Sequence, residues 1–209
     1  MADYTNVVIS GTTRRVNSGD NYTSTTVTAA GLLEMVAGSA YDTTLTNDGR
    51  LWMQGGAYAS GVRAGGGSCR ISAYHAGTIL EDFHIDSGVN TTGVWRLDIR
   101  AGVLVSNAVV SGAAIQHTGA SAVIRNLVMD EGAMLYTYNY ASAYNVTVES
   151  ANAAQLRLYN HGYMSNVTIK KGNLQIFGAG FAENVHGIIY LRPSEITITC
   201  SSKLTTKII

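Results

Sequence analysis

Residues Thr25 to Asp42 (TTVTAAGLLEMVAGSAYD) are followed directly by a near copy, Thr43 to Ser60 (TTLTNDGRLWMQGGAYAS). A period of about eighteen residues is too short for the helical repeats, which need roughly 33 or more. Gly and β-branched residues also stand where a helix interior would carry Ala and Leu. A repeat of this length is one coil of a β-solenoid. On the same phase, further units begin at Gly61, Phe83, Asn107, Arg125, Asn145, Asn166 and Asn184. The expected fold is therefore all-β: a single right-handed parallel β-solenoid of about ten coils, one domain over 1–209. Coils would run from about residue 5 to 199, with 200–209 as a C-terminal cap or tail.

Apolar residues make up 46% of the chain, enough for a core when placed at a regular period, so the Ser, Thr, Asn and Gly content does not mean disorder. The 23 Gly against a single Pro, Pro193, suit many tight turns without a proline-rich linker. Charged residues are only 13%, and 14 Lys and Arg balance 14 Asp and Glu. A neutral, charge-poor surface excludes nucleic acid and anionic membrane as expected partners, since both need a basic patch. No run approaches the roughly 18 apolar residues of a membrane helix, so no membrane insertion of this segment is expected. The start, MADYTNVV, does not resemble a secretory leader.

Within a coil, a first strand places an apolar residue after a polar one: Asn6-Val7, Thr26-Val27, Thr44-Leu45, Asn126-Leu127, Asn145-Val146, Asn166-Val167. Strand alternation turns Val7, Val27, Leu45, Leu127, Val146 and Val167 inward as one stack. The recurring Asn then reads as a turn ladder, each amide bonding the coils above and below. A Gly leads into a second strand, and positions two and four after it are apolar. This gives inward columns Leu33, Leu51, Cys69, Trp95, Leu174 and Met35, Met53, Ile71, Leu97, Ile176. The position between them points outward and holds Glu34, Trp52, Arg70, Arg96 and Gln175, with Arg157 matching. Gly38-Ser39-Ala40 reads as a tight corner. Cys69 and Cys200 would lie about six coils apart, near 30 Å at roughly 4.8 Å per coil, too far for a disulfide.

The pattern in which a Val-x-x-x-Gly strand leads to a Gly-x-Leu-x-Val-like strand and then a Gly-Gly or Ala-Gly turn, seen from Thr25 to Val62 and again in NVTIKKGNLQIFGAGFAENV from Asn166 to Val185, resembles the repeats of AIDA-type autotransporter passengers. The resemblance implies an exported bacterial adhesin or repeat segment, extracellular or displayed on the cell surface. It also implies adhesion or self-association as the activity. Passengers of this kind include ones that carry heptoses on Ser and Thr. The coils between Gly61 and Ser165 vary in length more than the typical passenger's do.

Function on a solenoid sits where coils lengthen or outward columns change character. Trp52, flanked by Arg70 and Arg96, offers an indole on which a sugar face could stack beside guanidinium hydrogen-bond donors. A second aromatic concentration holds Tyr136, Tyr138 and Tyr140, with Tyr144, Tyr159 and Tyr163 nearby. Column matching from Gly132 turns Met134, Tyr136 and Tyr138 inward, whereas propensity lets the tyrosines face water, and the sequence alone leaves both open. If they face out, Tyr138 and Tyr140 form a glycan or protein contact surface. Alternation puts Asp82, His84 and Asp86 on one strand face, where two carboxylates around a His could bind a cation or cleave a glycosidic bond. Arg96, Asp98 and Arg100 would neutralise that row from a neighbouring coil.

No catalytic residue, cofactor or metal site is expected: the five His show no paired spacing, and Asn47-Asp48-Gly49 reads as a turn. The leading expectation is a non-enzymatic adhesive passenger or stalk, with surface glycans or another copy of itself as partner through Trp52, Arg70, Arg96, Tyr138 and Tyr140. The rivals are a polysaccharide lyase or hydrolase using Asp82, His84, Asp86 and Arg96, and a trimeric phage fibre segment.

Overall fold

The computed structural model describes residues 2–66, 68–86, 97–149, 155–170, 173–191 and 205–208. Parallel strands stack as a solenoid of about nine turns, each turn contributing to a fifteen-stranded and a nine-stranded sheet. Among the described residues no helix is long and apolar enough to cross a membrane.

One left-handed residue per coil shapes the larger sheet. Asn6, Ser24, Asp42, Gly61, Asp82, Asn107, Asn126, Asn145, Asn166 and Asn184 all have φ between 49° and 69°. Left-handed backbone is tolerated by Asn, Asp and Gly, which explains the residue types at every one of these positions except Ser24. It bends each strand of this sheet at the same height. In the early coils it splits the strand in two, as in Ser39–Tyr41 and Thr44–Leu45. Later coils run through it, as in Leu104–Ser111 and Val123–Asp130. The expected asparagine ladder is present. Each Nδ2 donates to the Oδ1 one coil below, from Asn184 to Asn166 (3.2 Å), Asn166 to Asn145 (3.1 Å), Asn145 to Asn126 (2.9 Å) and Asn126 to Asn107 (3.0 Å). The run ends on Asp82, which accepts from Asn107 at 3.0 Å.

The core lies between the sheets and is continuous from Ile9 to Val185. Its columns differ from the expected ones in an instructive way. Val27 pairs with Ile9, and Leu45 with Val27, so neither shares a column with Val7. The residues that follow the kink in those coils, as Val7 does in its own, are Thr25 and Thr43, both fully buried. Gly38-Ser39-Ala40 is not a corner. Gly38 alone turns the chain, with φ +83°, while Ser39–Tyr41 is a strand whose Ala40 packs inward.

In the smaller sheet the inward residues Leu33, Leu51 and Leu174 stand as expected, but Ile71 is the partner of Leu51 and Leu97 the partner of Ile71. Cys69 is buried before the strand begins, with its Sγ 3.2 Å from the Gly66 carbonyl oxygen. The reason is an extended Gly-rich turn before Cys69: the strand there starts two residues later than the preceding Gly implies. A slip of two keeps each residue's facing and changes only its rung. Trp95, Arg96 and Cys200 lie outside the described residues. In the 200–209 segment, Thr205–Ile208 pairs in parallel with Ile188–Leu191, extending the stack by one strand.

Candidate functional site

The outer face of the nine-stranded sheet carries a column that runs Arg15, Glu34, Trp52, Ser72, Asp98, Gln116, Tyr136, Arg157, Gln175. Trp52 points outward as expected and is 39% exposed. Its neighbour on one side is Glu34; on the other it is Ser72, not Arg70. Arg70 sits one position earlier in the outward pattern, directly opposite Arg50. Trp52 and Arg70 still converge, while Arg96, the third residue of the expected group, lies outside the described residues. Leu32, Arg50, Trp52, Arg70, Ser72 and Tyr74 line a shallow cleft of about 290 Å³, and Trp52 meets Tyr74 edge to face with ring centroids 6.1 Å apart.

Beside the cleft lies a buried carboxylate that sequence reasoning placed elsewhere. Asp98 is only 1% exposed, and Arg100 holds it through Nε at 2.8 Å and Nη2 at 3.0 Å. Tyr74 donates its hydroxyl to the same carboxylate at 3.2 Å, and Arg70 Nη2 stands 3.9 Å away. Asp98 and Arg100 therefore neutralise each other on the smaller sheet. They do not neutralise the acidic row, which lies on the other sheet.

That row does not converge either. Asp82 is at the kink, left-handed, with its carboxylate taken by Asn107. Only His84 and Asp86 are paired, Nε2 to Oδ1 at 2.8 Å, on the surface. All three side chains do face outward, as alternation implied, with Phe83 and Ile85 buried between them, but the Asp82 carboxylate is committed to the asparagine ladder. Among the described residues no group of three His, Cys, Asp or Glu could hold a metal ion.

The tyrosine register resolves in favour of the outward reading. Leu135 and Thr137 are the buried residues of Met134–Tyr138, so Met134, Tyr136 and Tyr138 face outward. Tyr138 stacks on Tyr159 (4.8 Å, 12°), which stacks on Phe177 (4.5 Å, 4°), and Tyr136 lies parallel to Tyr138 at 6.3 Å. Stacking half-buries them, and that burial pushes the Tyr138 hydroxyl pKa up, with Tyr159 and Tyr136 adding to it. Arg157 lies 5.1 Å over the Tyr136 ring. Tyr140, in the following turn, is 62% exposed and stacks on His161 at 4.7 Å, 3° from parallel. Tyr159 belongs to the aromatic concentration read from the sequence, whereas Phe177 and His161 went unread. The signal was available: aromatic residues recurring one coil apart beside Tyr138 and Tyr140.

No protein-family model matches the chain, and no curated protein matches it. Among solved structures, a hyper-glycosylated TibA55-350 fragment modified by TibC is similar over 99% of each chain, at 17% identity and a TM-score of 0.28. So loose a likeness adds nothing to what the strand register already shows.

Proposed function

We propose that this chain is a non-enzymatic β-solenoid segment of an exported or cell-surface bacterial protein, acting as an adhesive or self-associating passenger or as its stalk. The observation that carries the reading is the outer face of the smaller sheet. One rigid surface presents Trp52 in its cleft at one end and the stack of Tyr138, Tyr159 and Phe177, with Tyr140 on His161, at the other. Aromatic rings held flat and in register give contact area at little conformational cost. Glycans or a second copy of the chain are the partners such a face suits.

The test compares the wild type with a Trp52→Ala, Tyr140→Ala double variant. Sedimentation velocity would read self-association, and adherence of protein-coated beads to glycan-bearing cells would read adhesion. The variant should lose at least one of the two by tenfold or more at an unchanged melting temperature. Full retention of both in the variant would leave only the stalk role. Release of reducing ends from polysaccharide, abolished by Asp82→Ala with Asp86→Ala, would make the protein an enzyme instead.

A further inference from the structure

We infer that the cleft at Trp52 is a binding site for a saccharide bearing a carboxylate, such as a uronic acid residue. This rests on the reading of the outer face as a contact surface and names what one part of it takes. Arg50 and Arg70 are direct cross-strand partners on adjacent coils. Like charges so placed repel, and a fold gains nothing by opposing them on an exposed face. Neither has an acid of its own. Arg50 is exposed and has no ion pair within 4 Å among the described residues. Arg70 has only a 3.9 Å approach to Asp98, whose carboxylate Arg100 and Tyr74 already occupy. The local balance of Arg50, Arg70 and Arg100 against Asp98 leaves two positive charges. Glu34, the register partner of Trp52, is the one further carboxylate on the adjacent rung and makes no ion pair with either arginine.

The rest of the cleft supplies what a sugar needs. Trp52 gives a ring face for the apolar side of a pyranose, and Tyr74 braces it edge to face. Ser72, opposite Trp52, adds a hydroxyl. The guanidinium fork matches a carboxylate in two hydrogen bonds, so one anionic group could be shared between Arg50 and Arg70 and relieve their repulsion. The cleft is shallow and open to solvent, which suits one or two residues of a longer chain rather than an enclosed small molecule.

The experiment titrates the full chain with a trigalacturonate and with the same trisaccharide after its carboxylates are reduced to alcohols, by calorimetry at low and at 0.5 M NaCl. The acidic form should bind at least tenfold tighter, and the preference should shrink at high salt. Trp52→Ala should abolish binding of both forms. Arg50→Gln with Arg70→Gln should remove the preference, bringing the acidic form down to the neutral one. Melting temperatures of the variants check that they fold, and the arginine pair should melt no lower than wild type because a repulsion has been removed. Equal binding of the two forms, or a preference that survives Arg50→Gln with Arg70→Gln, would overturn the acidic assignment while leaving the contact surface standing. Absence of binding to both forms would overturn it as well; the self-association and adherence measurements above then decide the broader reading separately.

Discussion

His117 is the least expected single residue in the core. It is fully buried in the column between Ile99 and Thr137, with its Nδ1 3.4 Å from the Thr137 hydroxyl. Burial pushes its pKa down to about 3, against a smaller opposing contribution from the Ala122 backbone. The folded state therefore keeps it neutral while the unfolded chain takes up a proton below about pH 6.5. Stability contributed by this residue is intact above that pH and is lost as pH falls toward 3, by roughly 1.4 kcal/mol per unit. Urea titrations at pH 7, 5 and 4 should show that loss in wild type and a flatter dependence in His117→Leu. Thr25 and Thr43 are a second residue-scale anomaly: their buried hydroxyls have no hydrogen-bond partner among the described residues. Their place after the kink is held by Val62 in the next coil and by Val146 further on. Thr25→Val with Thr43→Val should raise the unfolding free energy by about 1 to 3 kcal/mol, read from the denaturant midpoint at constant slope.

At the scale of elements, the kink and its asparagines decide the register of the larger sheet. Asn145 stands mid-ladder, donating to Asn126 and accepting from Asn166, with φ 55°. Asn145→Ala loses both bonds and also forces an alanine into left-handed backbone, while Asn145→Gly loses the bonds alone. The alanine variant should be the less stable by about 1 kcal/mol in equilibrium unfolding, and equal stabilities would mean the backbone conformation is unimportant. The ladder was legible because Asn recurs one coil apart. In the smaller sheet, Leu33, Leu51, Met35 and Met53 were legible because their two coils have equal lengths. From Gly61 onward the extended Gly-rich turn before Cys69 moved Ile71 and Leu97 to other rungs. Register there is set by backbone pairing with the previous coil, which distance from a Gly does not encode. The Tyr136 and Tyr138 facing was lost for the same reason, since Gly132 is one residue out of phase with the strand that follows it. The common facing of Asp82, His84 and Asp86 was legible from alternation, but the capture of the Asp82 carboxylate by Asn107 was not, because it depends on pairing with the next coil.

Over the whole molecule, a stack of parallel coils exposes a strand edge at each end of its sheets. Asp3–Thr5 and Thr13–Val16 are the terminal described strands at one end. The column that continues as Leu33 and Leu51 begins there with Arg14, whose guanidinium lies 4.9 Å over the Tyr4 ring and donates from Nε to the Tyr22 hydroxyl at 2.7 Å. A charge at the top of an apolar column discourages a second coil stack from docking on it. Arg14→Leu should make the sedimentation coefficient rise more steeply with protein concentration than it does in wild type, and a variant with the wild-type dependence would show that the Tyr4 and Tyr22 pair suffices. The pairing pattern also fixes how such a chain can be lengthened and worn away. Strand partners lie 18 positions apart at Asp3 and Asn21 and 25 apart at Ile79 and Leu104, so each coil is templated only by its immediate neighbours. Among the described residues no strand pairing ties the first coil directly to the last. The molecule is thus closer to a zipper than to a knot: a chain presented gradually can be ordered one coil at a time on the coil before it, and damage begins at an end. A whole coil can be gained or lost in evolution without disturbing the lattice of the rest, so the length of the rod and the chemistry of its outer face are free to change independently.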